Sequence, residues 1–590
     1  MPDPILPARL GFHEGTPYAA AYGDVYHSAA GGPAQARHVF LGGNGLPQRW
    51  AGRSRFVILE TGFGLGLNFL ATWQAWRRDP ARCARLHFVS IEKHPFTRTD
   101  LQKIHSQYGG LEQEAAELHA RWPVLTPGGH RLEFDGGKVV LTLFFADVTI
   151  ARDLRLAADA FYLDGFSPAK NPDMWTPALM RSLSRLAARG ATAATWSVAG
   201  DVRRALEVTG FAVEKRKGFG TKGEMLVASS SKGIDSVEPK IRKASVIGAG
   251  LAGAAVCERL CARGWEVELF ERHAGPAMEA SGNHAGTFHP IATPDDSVFA
   301  RLTRAAFLLT QKTLGEAQGV RFDPCGVLQL SRDDKESHSQ QRSVQALPSD
   351  YAQYVDRDDA SRHAGVPVAD GGLWFPAGGW IQPRSLVQAQ LDACGSRLKR
   401  IFSIETKELP SDHVVVLANS SEAVKLHRVP HLRLRRVRGQ LTYLPQDALE
   451  PPRVVVLRGG MILPPVDGLC VLGASFDIDD EDAETRADSH AANLVRLEKI
   501  LLQKAMQKTA SGRVAFRAVT PDRLPVVGKL ADNVCGAFAF GSRGLIWAAL
   551  AAEMLAAGLE GEPLPVEGAL AKALEPARFA RRAESRGSRS

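Results

Sequence analysis

The sequence predicts an α/β fold with two Rossmann-like domains, and three observations support this prediction. The chain has 590 residues, more than a single domain usually holds. Short β-rich runs alternate with helical patterns in both halves, which is typical of parallel or mostly parallel sheets. Each half also contains a glycine-rich loop directly after such a run, near Gly62 and near Gly248. We therefore expect two sheets, each with a ligand site at the carboxyl ends of its strands.

Composition excludes several classes of protein. Hydrophobic residues make up 45% and charged residues 23% of the chain, which excludes a mostly disordered or fibrous protein. No apolar run reaches the roughly 18 residues of a membrane span, and the first residues lack the pattern of a secretory signal. We expect a cytoplasmic protein that does not associate with a membrane. The seven cysteines are scattered without a C-x-x-C pair, so we expect reduced thiols and no metal site.

A polar stretch at residues 229–240 contains glycine and proline and lacks hydrophobic periodicity, as linkers do. A new β-rich run follows it. We therefore predict a first domain at 1–235, a linker at 236–243 and a second domain at 244–590.

The net charge is +8. The first domain holds 28 basic and 22 acidic residues, against 44 and 42 in the remainder. The modest excess of basic residues in the first domain indicates either that this domain binds an anionic partner or that the charge keeps the protein soluble.

The first glycine loop follows the β-rich run at 56–59 and reads ETGFGLGLNF. Glycine lets the backbone approach a ligand closely because it has no Cβ. The next two β-rich runs end in Glu92 and Asp147, which are placed to reach ribose hydroxyls and an adenine amino group. Acids at these positions favour S-adenosylmethionine over a pyrophosphate-containing cofactor. Asp147 could instead cap a helix. The predicted cofactor ligands are Glu60, Gly62, Gly64, Gly66, Asn68, Glu92 and Asp147.

The fourth β-rich run, at 160–163, ends in Asp164, the candidate catalytic residue of this domain. Methyl transfer to an amine needs a free nitrogen lone pair in line with the sulfonium methyl group. A carboxylate can orient that amine by a hydrogen bond and take its proton. A stiff loop at 166–172 follows and would form a wall of the acceptor pocket. The runs at 211–217 and 223–228 resemble the terminal antiparallel hairpin of methyltransferase sheets.

The second glycine loop is a complete G-x-G-x-x-G at 248–253, between a β-rich run and a helical pattern. The next β-rich run ends in Glu271, roughly 20 residues beyond the loop, the spacing at which an acid binds a ribose hydroxyl. This βαβ unit predicts dinucleotide binding. The predicted ligands are Gly248, Gly250, Gly253 and Glu271.

FAD suits the second domain better than NAD. Polar residues follow soon after the acid and would line the path of the flavin, namely Arg272, Ser281 and Asn283. Far downstream, Gly541 and Gly544 precede the final long helical pattern. We expect these glycines to bring backbone N–H groups and a helix N-terminus to the reduced flavin ring. The alternative for this segment is an ordinary helix start.

With both halves in view, the chain resembles the bifunctional tRNA 5-methylaminomethyl-2-thiouridine biosynthesis (MnmC) family over nearly its whole length. The motifs of the first half are GTP at 15–17, DVY at 24–26, NGLPQRW at 44–50, ETGFGLGLNF at 60–69 and LDGFSP at 163–168. The second half resembles FAD enzymes of glycine/D-amino-acid oxidase type. Its motifs are GAGLAG at 248–253, RGQ at 438–440, TPDRLP at 520–525 and GSRGL at 541–545.

The resemblance implies an N-terminal S-adenosylmethionine methyltransferase sheet joined to a C-terminal FAD-binding Rossmann domain with an α+β substrate subdomain. The FAD domain would remove the carboxymethyl group from 5-carboxymethylaminomethyl-(2-thio)uridine at the tRNA wobble position, with release of glyoxylate. The methyltransferase domain would then methylate the resulting primary amine. The implied cofactors are FAD and S-adenosylmethionine, and the implied partner is tRNA.

This chemistry calls for an arginine that holds the substrate carboxylate by two parallel hydrogen bonds. The candidates are Arg543, Arg517 and Arg458. Ala518 and Val519 follow Arg517 where related oxidases often carry proline, which weakens a role carried over to Arg517. Basic clusters would bind the tRNA backbone, although each could instead be a solvated face. These clusters are Lys215 with Arg216 and Lys217, Arg433 with Arg435, Arg436 and Arg438, and Arg578 with Arg581 and Arg582.

Two other functions stay open from the sequence. A small-molecule amine or amino-acid oxidase fused to an N-methyltransferase would carry similar cofactor motifs, but the basic first half and the family motifs disfavour it. A tRNA-binding protein with inactive sites has no need of two complete cofactor sites. The intact glycine loops, together with Glu92, Glu271 and Asp164, disfavour that alternative.

Overall fold

A computed structural model describes residues 4–235, 237–506 and 511–587. The chain divides into two compact units. The first unit contains Pro4–Glu238 together with Ala557–Gly568, and the second contains mainly Pro239–Ala556 and Ala569–Ser590. The division after Glu238 falls within the polar stretch described above. The grouping of residues 557–568 with the first unit is not predicted by the sequence.

The first unit begins with a three-stranded antiparallel sheet and continues into a sheet of eight strands. The small sheet comprises β1 (Gly11–His13), β2 (Thr16–Ala19) and β3 (Asp24–Val25). The large sheet comprises β4 (Arg55–Glu60), β5 (Arg85–Glu92), β6 (Gly128–Phe134), β7 (Val139–Phe145), β8 (Ala158–Tyr162), β9 (Ala187–Thr195), β10 (Ala212–Lys217) and β11 (Glu224–Ser229). The helices are α1 (Gly32–Gln35), α2 (Leu67–Arg78), α3 (Arg98–His105), α4 (Glu112–Arg121), α5 (Pro177–Ser184) and α6 (Gly200–Val208), and a π-helix spans Ala36–Leu41.

The strand order of the large sheet is β10-β11-β9-β8-β4-β5-β7-β6. Its five central strands run parallel, and β6, β10 and β11 run antiparallel to their neighbours. The antiparallel pair of β10 and β11 confirms the predicted terminal hairpin. The carboxyl ends of β4, β5, β7 and β8 therefore meet at one edge of the sheet, which brings the predicted loops and acids together.

The large sheet is covered on both faces, as parallel strands connected by helices require. β4, β7 and β8 are buried along their whole length. Ile58 packs in one hydrophobic cluster with Phe69 and Trp73. Its neighbour Leu59 packs in another cluster with Phe161. Successive strand residues point to opposite faces, so these two clusters form the cores on the two sides of the sheet.

Residues 557–568 complete the first unit beside β6 and β7. The Arg131 guanidinium on β6 donates to the Pro563 carbonyl, and Leu564 N donates to the Arg155 carbonyl at 3.2 Å. A Cβ added at Gly129 would lie 2.3 Å from the Pro565 carbonyl oxygen. Glycine at position 129 therefore permits the close approach of the two segments.

The second unit combines a Rossmann-like sheet with a larger, mainly antiparallel sheet. Its strands are β12 (Lys243–Ile247), β13 (Glu266–Phe270), β14 (Gly286–Phe288), β15 (Phe322–Asp323), β16 (Val327–Leu330), β17 (Gln353–Val355), β18 (Gly372–Phe375), β19 (Gly379–Ile381), β20 (Leu398–Ile401), β21 (Val414–Leu417), β22 (Arg435–Pro445), β23 (Val455–Leu457), β24 (Met461–Ile462), β25 (Leu469–Gly473), β26 (Asp477–Ile478), β27 (Ser511–Val519), β28 (Val526–Lys529) and β29 (Val534–Phe538). Its helices are α7 (Leu251–Cys261), α8 (Val298–Glu316), α9 (Asp334–Val344), α10 (Arg357–Ala364), α11 (Pro383–Ala393), α12 (Ala423–Leu426), α13 (Ala487–Leu501), α14 (Gly544–Glu560), α15 (Gly568–Leu574) and α16 (Arg578–Gly587).

The Rossmann-like sheet has the strand order β20-β13-β12-β21-β29-β28, and β28 alone among these six runs antiparallel. The larger sheet has the order β17-β18-β16-β23-β24-β25-β22-β26, with β27 paired to β22, and a third sheet joins β14, β19 and β15. These sheets confirm the predicted α/β class and the α+β part beside the second Rossmann-like sheet. Within the described ranges, no helix has the length and hydropathy needed to cross a membrane. All seven cysteines, each of them described, have free thiols.

Candidate active sites

A cavity of about 840 Å³ opens at the carboxyl edge of the large sheet in the first unit. It is bounded by the glycine loop after β4, by the residues that follow β5, β7 and β8, and by the segment around β3. Of the predicted residues, Gly62, Gly64, Asn68, Glu92, Asp147 and Asp164 line it. The structure thus brings the ends of four strands together at one cavity, as the order of the sequence motifs indicates.

The glycine loop is tied to the acid at the end of β5. Gly64 N donates to Glu92 Oε2 at 2.8 Å, and His94 N donates to Glu92 Oε1 at 2.7 Å. Gly64 has φ +50° and Gly66 has φ +73°, backbone conformations that favour glycine. Each Glu92 oxygen keeps a further lone pair, so the carboxylate can still accept a hydroxyl hydrogen bond from a ligand in the cavity.

Glu60 lies behind the cavity wall and does not face the cavity. Its side chain is fully buried and accepts hydrogen bonds from Asn68 Nδ2 at 2.9 Å and from Ser90 Oγ at 2.6 Å. Burial raises the pKa of Glu60 well above its usual value. The arrangement therefore lets Glu60 orient Asn68. Gly66 also lies outside the lining, where it forms the left-handed residue before α2.

Asp164 lies at the base of the cavity and accepts several hydrogen bonds. Asn68 Nδ2 donates to Asp164 Oδ2 at 2.8 Å, and Gly165 N donates to Oδ1 at 2.9 Å. Burial raises the pKa of Asp164 to about 6, opposed by hydrogen bonds from Asn68, Gly165 N and Trp196. A carboxylate with a pKa near 6 is mostly ionised at neutral pH and still accepts a proton readily, as a general base must.

Asp147 caps a turn and also lines the cavity. Its Oδ1 accepts a hydrogen bond from Thr149 N at 3.0 Å, at the start of the 3₁₀ turn Val148–Asp153. Its Oδ2 lies 3.1 Å from Lys93 Nζ. The capping alternative from the sequence therefore holds, while the position at the cavity rim leaves Asp147 within reach of a ligand.

Aromatic side chains form part of the cavity wall, and one of them, Phe166, belongs to the loop at 166–172 that we expected there. Tyr22 stacks on Phe166 with ring centroids 4.7 Å apart, and Tyr26 meets Phe166 edge-on at 5.2 Å. On the other side, Lys222 Nζ lies 3.5 Å from the centroid of the Trp196 ring. Tyr26 belongs to the DVY motif at 24–26, whereas Tyr22 and Trp196 carry no motif and were not predicted as site residues.

The second unit contains a cavity of about 800 Å³ beside the loop after β12. The loop carries the three glycines for geometric reasons. A Cβ at Gly248, which has φ +103°, would lie 2.9 Å from the Ala418 carbonyl oxygen, and one at Gly253 would lie 1.8 Å from the Gly248 carbonyl oxygen. Gly253 lies outside the cavity lining and allows α7 to pack against the loop, while Gly248 and Gly250 line the cavity.

Glu271 and Ser281 fix the conformation of this loop. Ala249 N donates to Glu271 Oε2 at 2.8 Å, and His273 N donates to Oε1 at 3.0 Å. Leu251 N donates to Ser281 Oγ at 3.0 Å. Arg272, also in the lining, pairs with Glu279. The acid at the end of β13 therefore holds the glycine loop in the second unit, as Glu92 does in the first.

Four buried polar atoms in the second cavity have no hydrogen-bond partner among the residues that the structure describes. They are Asn283 Oδ1, Thr287 Oγ1, Thr406 Oγ1 and Asn419 Oδ1. A buried polar atom without a partner costs about 1–3 kcal/mol, so these atoms indicate a polar ligand. The glycine loop at 248–253 lets a ligand approach the backbone closely, and together with these polar atoms it fits FAD. FAD carries a pyrophosphate, hydroxyl groups and a polar ring.

Gly541 and Gly544, the two glycines near the start of the final long helix, differ in their backbone contacts. α14 begins at Gly544, which lines the cavity, so a helix N-terminus lies there as predicted. Gly541 N donates to the Ala518 carbonyl at 3.1 Å. This N–H is therefore bonded to the backbone of β27, whereas Gly541 itself lines the cavity, and its contact with FAD stays a prediction. Its φ of +57° explains the glycine at this position.

The three candidate arginines line the second cavity but have different partners. Arg458 donates to the carbonyl oxygens of Ser331, Lys499 and Arg332, so its guanidinium is engaged by the fold. Arg543 Nη1 lies 3.5 Å from the His289 carbonyl, and Arg517 Nη1 lies 3.3 Å from the Ser475 carbonyl.

Burial lowers the pKa of both remaining arginines. The pKa of Arg543 falls to about 10 through desolvation. The pKa of Arg517 is lowered by desolvation, and the charge of Asp477 opposes this effect. Because burial disfavours the charged form of each guanidinium, an anion bound in the cavity beside it would stabilise that form.

Two of the arginines assigned to tRNA-binding clusters lie inside the second unit. Arg438 is fully buried and donates to Gln440 Oε1 and to the carbonyl oxygens of Asp482 and Glu484. Arg578 is buried and donates to both carboxylate oxygens of Asp522. The prediction that these two arginines contact tRNA is wrong, since strand alternation and helix packing turn them inward.

The other cluster residues differ in their partners. Lys215 pairs with Glu224, and Arg216 pairs with Glu214, both on exposed strands. Arg581 lies near Glu575, and Arg582 pairs with Asp522. Arg436 lies over the Phe516 ring at 3.9 Å. The remaining members, Lys217, Arg433 and Arg435, are exposed.

Comparison with known proteins identifies both units. Residues 243–557 match the family model of FAD dependent oxidoreductases, and residues 110–231 match that of S-adenosyl-L-methionine-dependent methyltransferases. The chain is 46% identical over 653 residues, 100% of each chain, to the tRNA 5-methylaminomethyl-2-thiouridine biosynthesis bifunctional protein MnmC of Paraburkholderia phytofirmans. It is 47% identical to the protein of the same name from Azoarcus sp., over 98% of each chain.

Two solved structures are similar to part of the chain. Glycine oxidase from Geobacillus kaustophilus has a TM-score of 0.48 and 18% identity, covering 54% of this chain and 95% of that chain. L-proline dehydrogenase from P. horikoshii has a TM-score of 0.49 and 18% identity, covering 58% and 99%.

Proposed function

The chain belongs to the bifunctional tRNA 5-methylaminomethyl-2-thiouridine biosynthesis (MnmC) family, and we propose on that premise that it modifies the wobble uridine of tRNA in two steps. An FAD-dependent oxidoreductase first converts 5-carboxymethylaminomethyl-(2-thio)uridine to the 5-aminomethyl form. An S-adenosylmethionine-dependent methyltransferase then produces 5-methylaminomethyl-(2-thio)uridine. The observation that carries this proposal is that one chain holds two separate cavities, each with a glycine loop tied to the acid at the end of the next strand.

We assign the methylation to residues 1–235 and the oxidation to residues 244–590, except for residues 557–568, which group with the methyltransferase unit. The order follows from the chemistry. The primary amine produced by the first reaction is the nucleophile of the second, so binding to one tRNA serves both steps. A tRNA partner also agrees with the basic excess of the first domain, and we propose a cytoplasmic location because tRNA is the substrate.

In the oxidation, the residues of the second cavity bind FAD and hold the substrate carboxylate. Polar atoms for this purpose come from Asn283, Thr287, Thr406 and Asn419, and within the described part of the chain these atoms have no hydrogen-bond partner. Bound FAD would supply the hydride acceptor for the CH₂ group next to nitrogen, and hydrolysis of the resulting substrate imine by water would release glyoxylate and leave the primary amine. The neutral amine and a fixed C–H direction are the main requirements, so the contribution of the protein is chiefly orientation.

We assign Arg543 and Arg517 as the residues that hold the substrate carboxylate. Both guanidinium groups line the cavity with few partners, and the burial that lowers their pKa makes a carboxylate partner favourable. Arg458 is excluded from this role because its donors serve three backbone carbonyls. Arg543 is favoured over Arg517 because no acidic side chain acts on it, whereas Asp477 acts on Arg517.

In the methylation, Gly62, Gly64, Glu92 and Asp147 form the cofactor side of the first cavity, and Asp164 faces the acceptor. S-adenosylmethionine, when bound, supplies the methyl group. Asp164 accepts a hydrogen bond from the amine N–H, aims the nitrogen lone pair and takes the proton as the new N–C bond forms. Asn68 and Gly165 N hold the two carboxylate oxygens for this task.

Withholding each cofactor tests the assignment of the two steps. Full-length protein with tRNA bearing carboxymethylaminomethyluridine, but without S-adenosylmethionine, should accumulate aminomethyluridine. Protein stripped of FAD should leave that tRNA unchanged but should still methylate aminomethyl-tRNA. Oxidation of free sarcosine as efficiently as modified tRNA would instead support the small-molecule amine oxidase alternative.

A further inference from the structure

His289 lies in the wall of the second cavity, and none of the roles assigned above uses it. It directly follows β14, and only 5% of its surface is exposed. On one side, Phe288 pairs with Gly379 of β19. On the other side, Ile291 N donates to Thr303 Oγ1 of α8 at 3.0 Å. The backbone is therefore held on both sides of His289, which gives its side chain a defined place in the cavity wall.

The hydrogen bond of the His289 ring determines which nitrogen carries the proton. Nδ1 lies 2.8 Å from the Pro290 carbonyl oxygen. A carbonyl oxygen can only accept, so Nδ1 donates and Nε2 of the neutral ring is an acceptor. Nε2 has no hydrogen-bond partner among the residues that the structure describes. The ring therefore carries an unused acceptor at the cavity wall.

Two effects keep the His289 ring neutral. Burial and the positive charge of Arg543 lower the pKa of His289 to about 3, and the hydrogen bond to the Pro290 carbonyl opposes them. At neutral pH, Nε2 therefore remains unprotonated and available to a donor on a ligand.

His289 is also adjacent to the arginine that we assign to the substrate carboxylate. Arg543 Nη1 lies 3.5 Å from the His289 carbonyl oxygen, and the Arg543 charge acts on the His289 ring. In a carboxymethylamino group, a single CH₂ separates the carboxylate carbon from the amine nitrogen. A carboxylate held by Arg543 therefore brings the amine nitrogen close to His289.

We propose that His289 Nε2 accepts a hydrogen bond from the N–H of the substrate amine and thereby speeds the oxidation of the carboxymethyl group. This inference rests on the proposed function, because it takes the carboxymethylamino group as the substrate and Arg543 as the partner of its carboxylate.

The hydrogen bond gains strength during the reaction because the charge on nitrogen changes. A C–H bond of the CH₂ group breaks and its hydride passes to bound FAD, while the nitrogen lone pair forms the C=N bond. Nitrogen keeps its hydrogen and becomes positively charged, so its N–H becomes a stronger donor. Water then adds to the C=N bond, and glyoxylate, the primary amine and one proton are released. An acceptor that binds the transition state more tightly than the ground state raises the rate and leaves substrate binding unchanged.

His289→Asn removes this acceptor and retains the contact with the fold, because the asparagine amide can donate to the Pro290 carbonyl as Nδ1 does. Anaerobic stopped-flow absorbance measures flavin reduction in full-length protein by tRNA bearing carboxymethylaminomethyluridine. We expect the limiting rate constant to fall about tenfold to a hundredfold. The Kd for this tRNA, from fluorescence anisotropy, should stay within about twofold. An unchanged rate constant, or weaker tRNA binding in place of slower reduction, would overturn the proposal.

His289→Gln is the conservative variant, because its longer amide can place an oxygen near the position of Nε2. It should recover most of the lost rate, and equal losses in the Asn and Gln variants would overturn the proposal. Flavin absorbance and methylation of aminomethyl-tRNA report the fold of each variant. His289→Phe replaces His289→Asn if the latter does not fold. A variant that methylates normally but has lost FAD would show that His289 holds the cofactor, which would also contradict the proposal.

His338 on α9 provides the matched control. It is exposed, and its Nδ1 also bonds to a backbone carbonyl, that of Asp334, at 2.6 Å. His338→Asn should leave the rate of flavin reduction unchanged. A wild-type protein whose flavin is not reduced by the modified tRNA would refute the proposed function itself, whereas a normal rate in His289→Asn would refute only the role of His289.

Discussion

Asn68 Nδ2 lies 2.8 Å from Asp164 Oδ2, so the helix after the first glycine loop is tied directly to the candidate catalytic carboxylate. The same nitrogen lies 2.9 Å from Glu60 Oε1. The Asn68 amide group therefore donates hydrogen bonds to two acidic side chains. Glu60 is buried behind the cavity wall, and Asp164 faces the cavity. This arrangement links the cofactor loop and the acceptor side of the first site.

Asn68→Ala should slow methylation about tenfold to a hundredfold, because it removes a hydrogen bond of about 1.5–3 kcal/mol from the Asp164 carboxylate. Nucleoside analysis by mass spectrometry should then find aminomethyluridine accumulating at the normal rate of oxidation. Methylation at the wild-type rate in a folded Asn68→Ala protein would show that this contact has no part in the reaction.

Asp164→Asn should abolish methylation and leave the oxidation intact. In the wild type, burial raises the pKa of Asp164 from its usual value to about 6. The ionised form accepts the amine proton, so the methylation rate should rise with pH through about 6. A radiolabelled methyl-transfer assay across pH 5 to 8 measures both effects. Asp201→Asn, an exposed position on α6, is the matched control. A rate that stays level between pH 5 and 7 would argue against Asp164 as the base.

Gly253→Ala should prevent FAD binding and give a colourless protein. The added Cβ would lie 1.8 Å from the Gly248 carbonyl oxygen, and both backbone segments are held by the β12–α7 packing. Flavin absorbance measures the effect, and methylation of aminomethyl-tRNA should persist. Gly315→Ala, exposed near the end of α8 with no atom near the added Cβ, should stay yellow. A yellow Gly253→Ala protein with normal oxidation would contradict the role given to this loop.

Arg543→Lys should raise KM for carboxymethylaminomethyl-tRNA in the oxidation by about tenfold to a hundredfold. Lysine keeps the charge but loses the paired donors that hold a carboxylate, worth about 1.5–3 kcal/mol. Steady-state kinetics of flavin reduction measure this change. Arg458→Lys should lower the thermal unfolding temperature and leave KM within about twofold, because the donors of Arg458 bond to three backbone carbonyl oxygens. The reverse pattern would exchange the roles assigned to Arg543 and Arg458.

Gly129→Ala should destabilise the first unit by about 1–3 kcal/mol, since the new methyl group would overlap the Pro565 carbonyl oxygen. Chemical denaturation monitored by tryptophan fluorescence measures the loss. Gly558→Ala in α14, where nothing lies within 4 Å of the added Cβ, should be neutral or stabilising by up to about 1 kcal/mol. Equal stability of the two variants would show that residues 557–568 do not depend on the contact at Gly129.

Much of the fold and of both sites follows from local sequence patterns. Each glycine loop follows a strand, and Glu92 and Glu271 follow the next strand of the sheet. Because the carboxyl ends of neighbouring parallel strands meet at one edge, these residues come together without further information. In both units the acid then accepts a hydrogen bond from the glycine loop, at Gly64 N and at Ala249 N.

The remainder depends on information that local patterns lack. Glu60 ends its strand as Glu92 does, but its side chain turns away from the cavity toward Ser90. Arg438 is part of a basic run, but strand alternation along β22 turns it into the interior. The packing of Pro563 against Arg131 joins residues more than 400 positions apart.

The central claim is that this chain oxidises and then methylates the same uridine. The most direct measurement is a time course with full-length protein, S-adenosylmethionine and tRNA bearing carboxymethylaminomethyluridine, with nucleosides identified by mass spectrometry. We expect aminomethyluridine to rise first and methylaminomethyluridine to replace it, with one methyl group transferred per uridine converted. An unchanged nucleoside profile from protein that holds FAD would contradict this account.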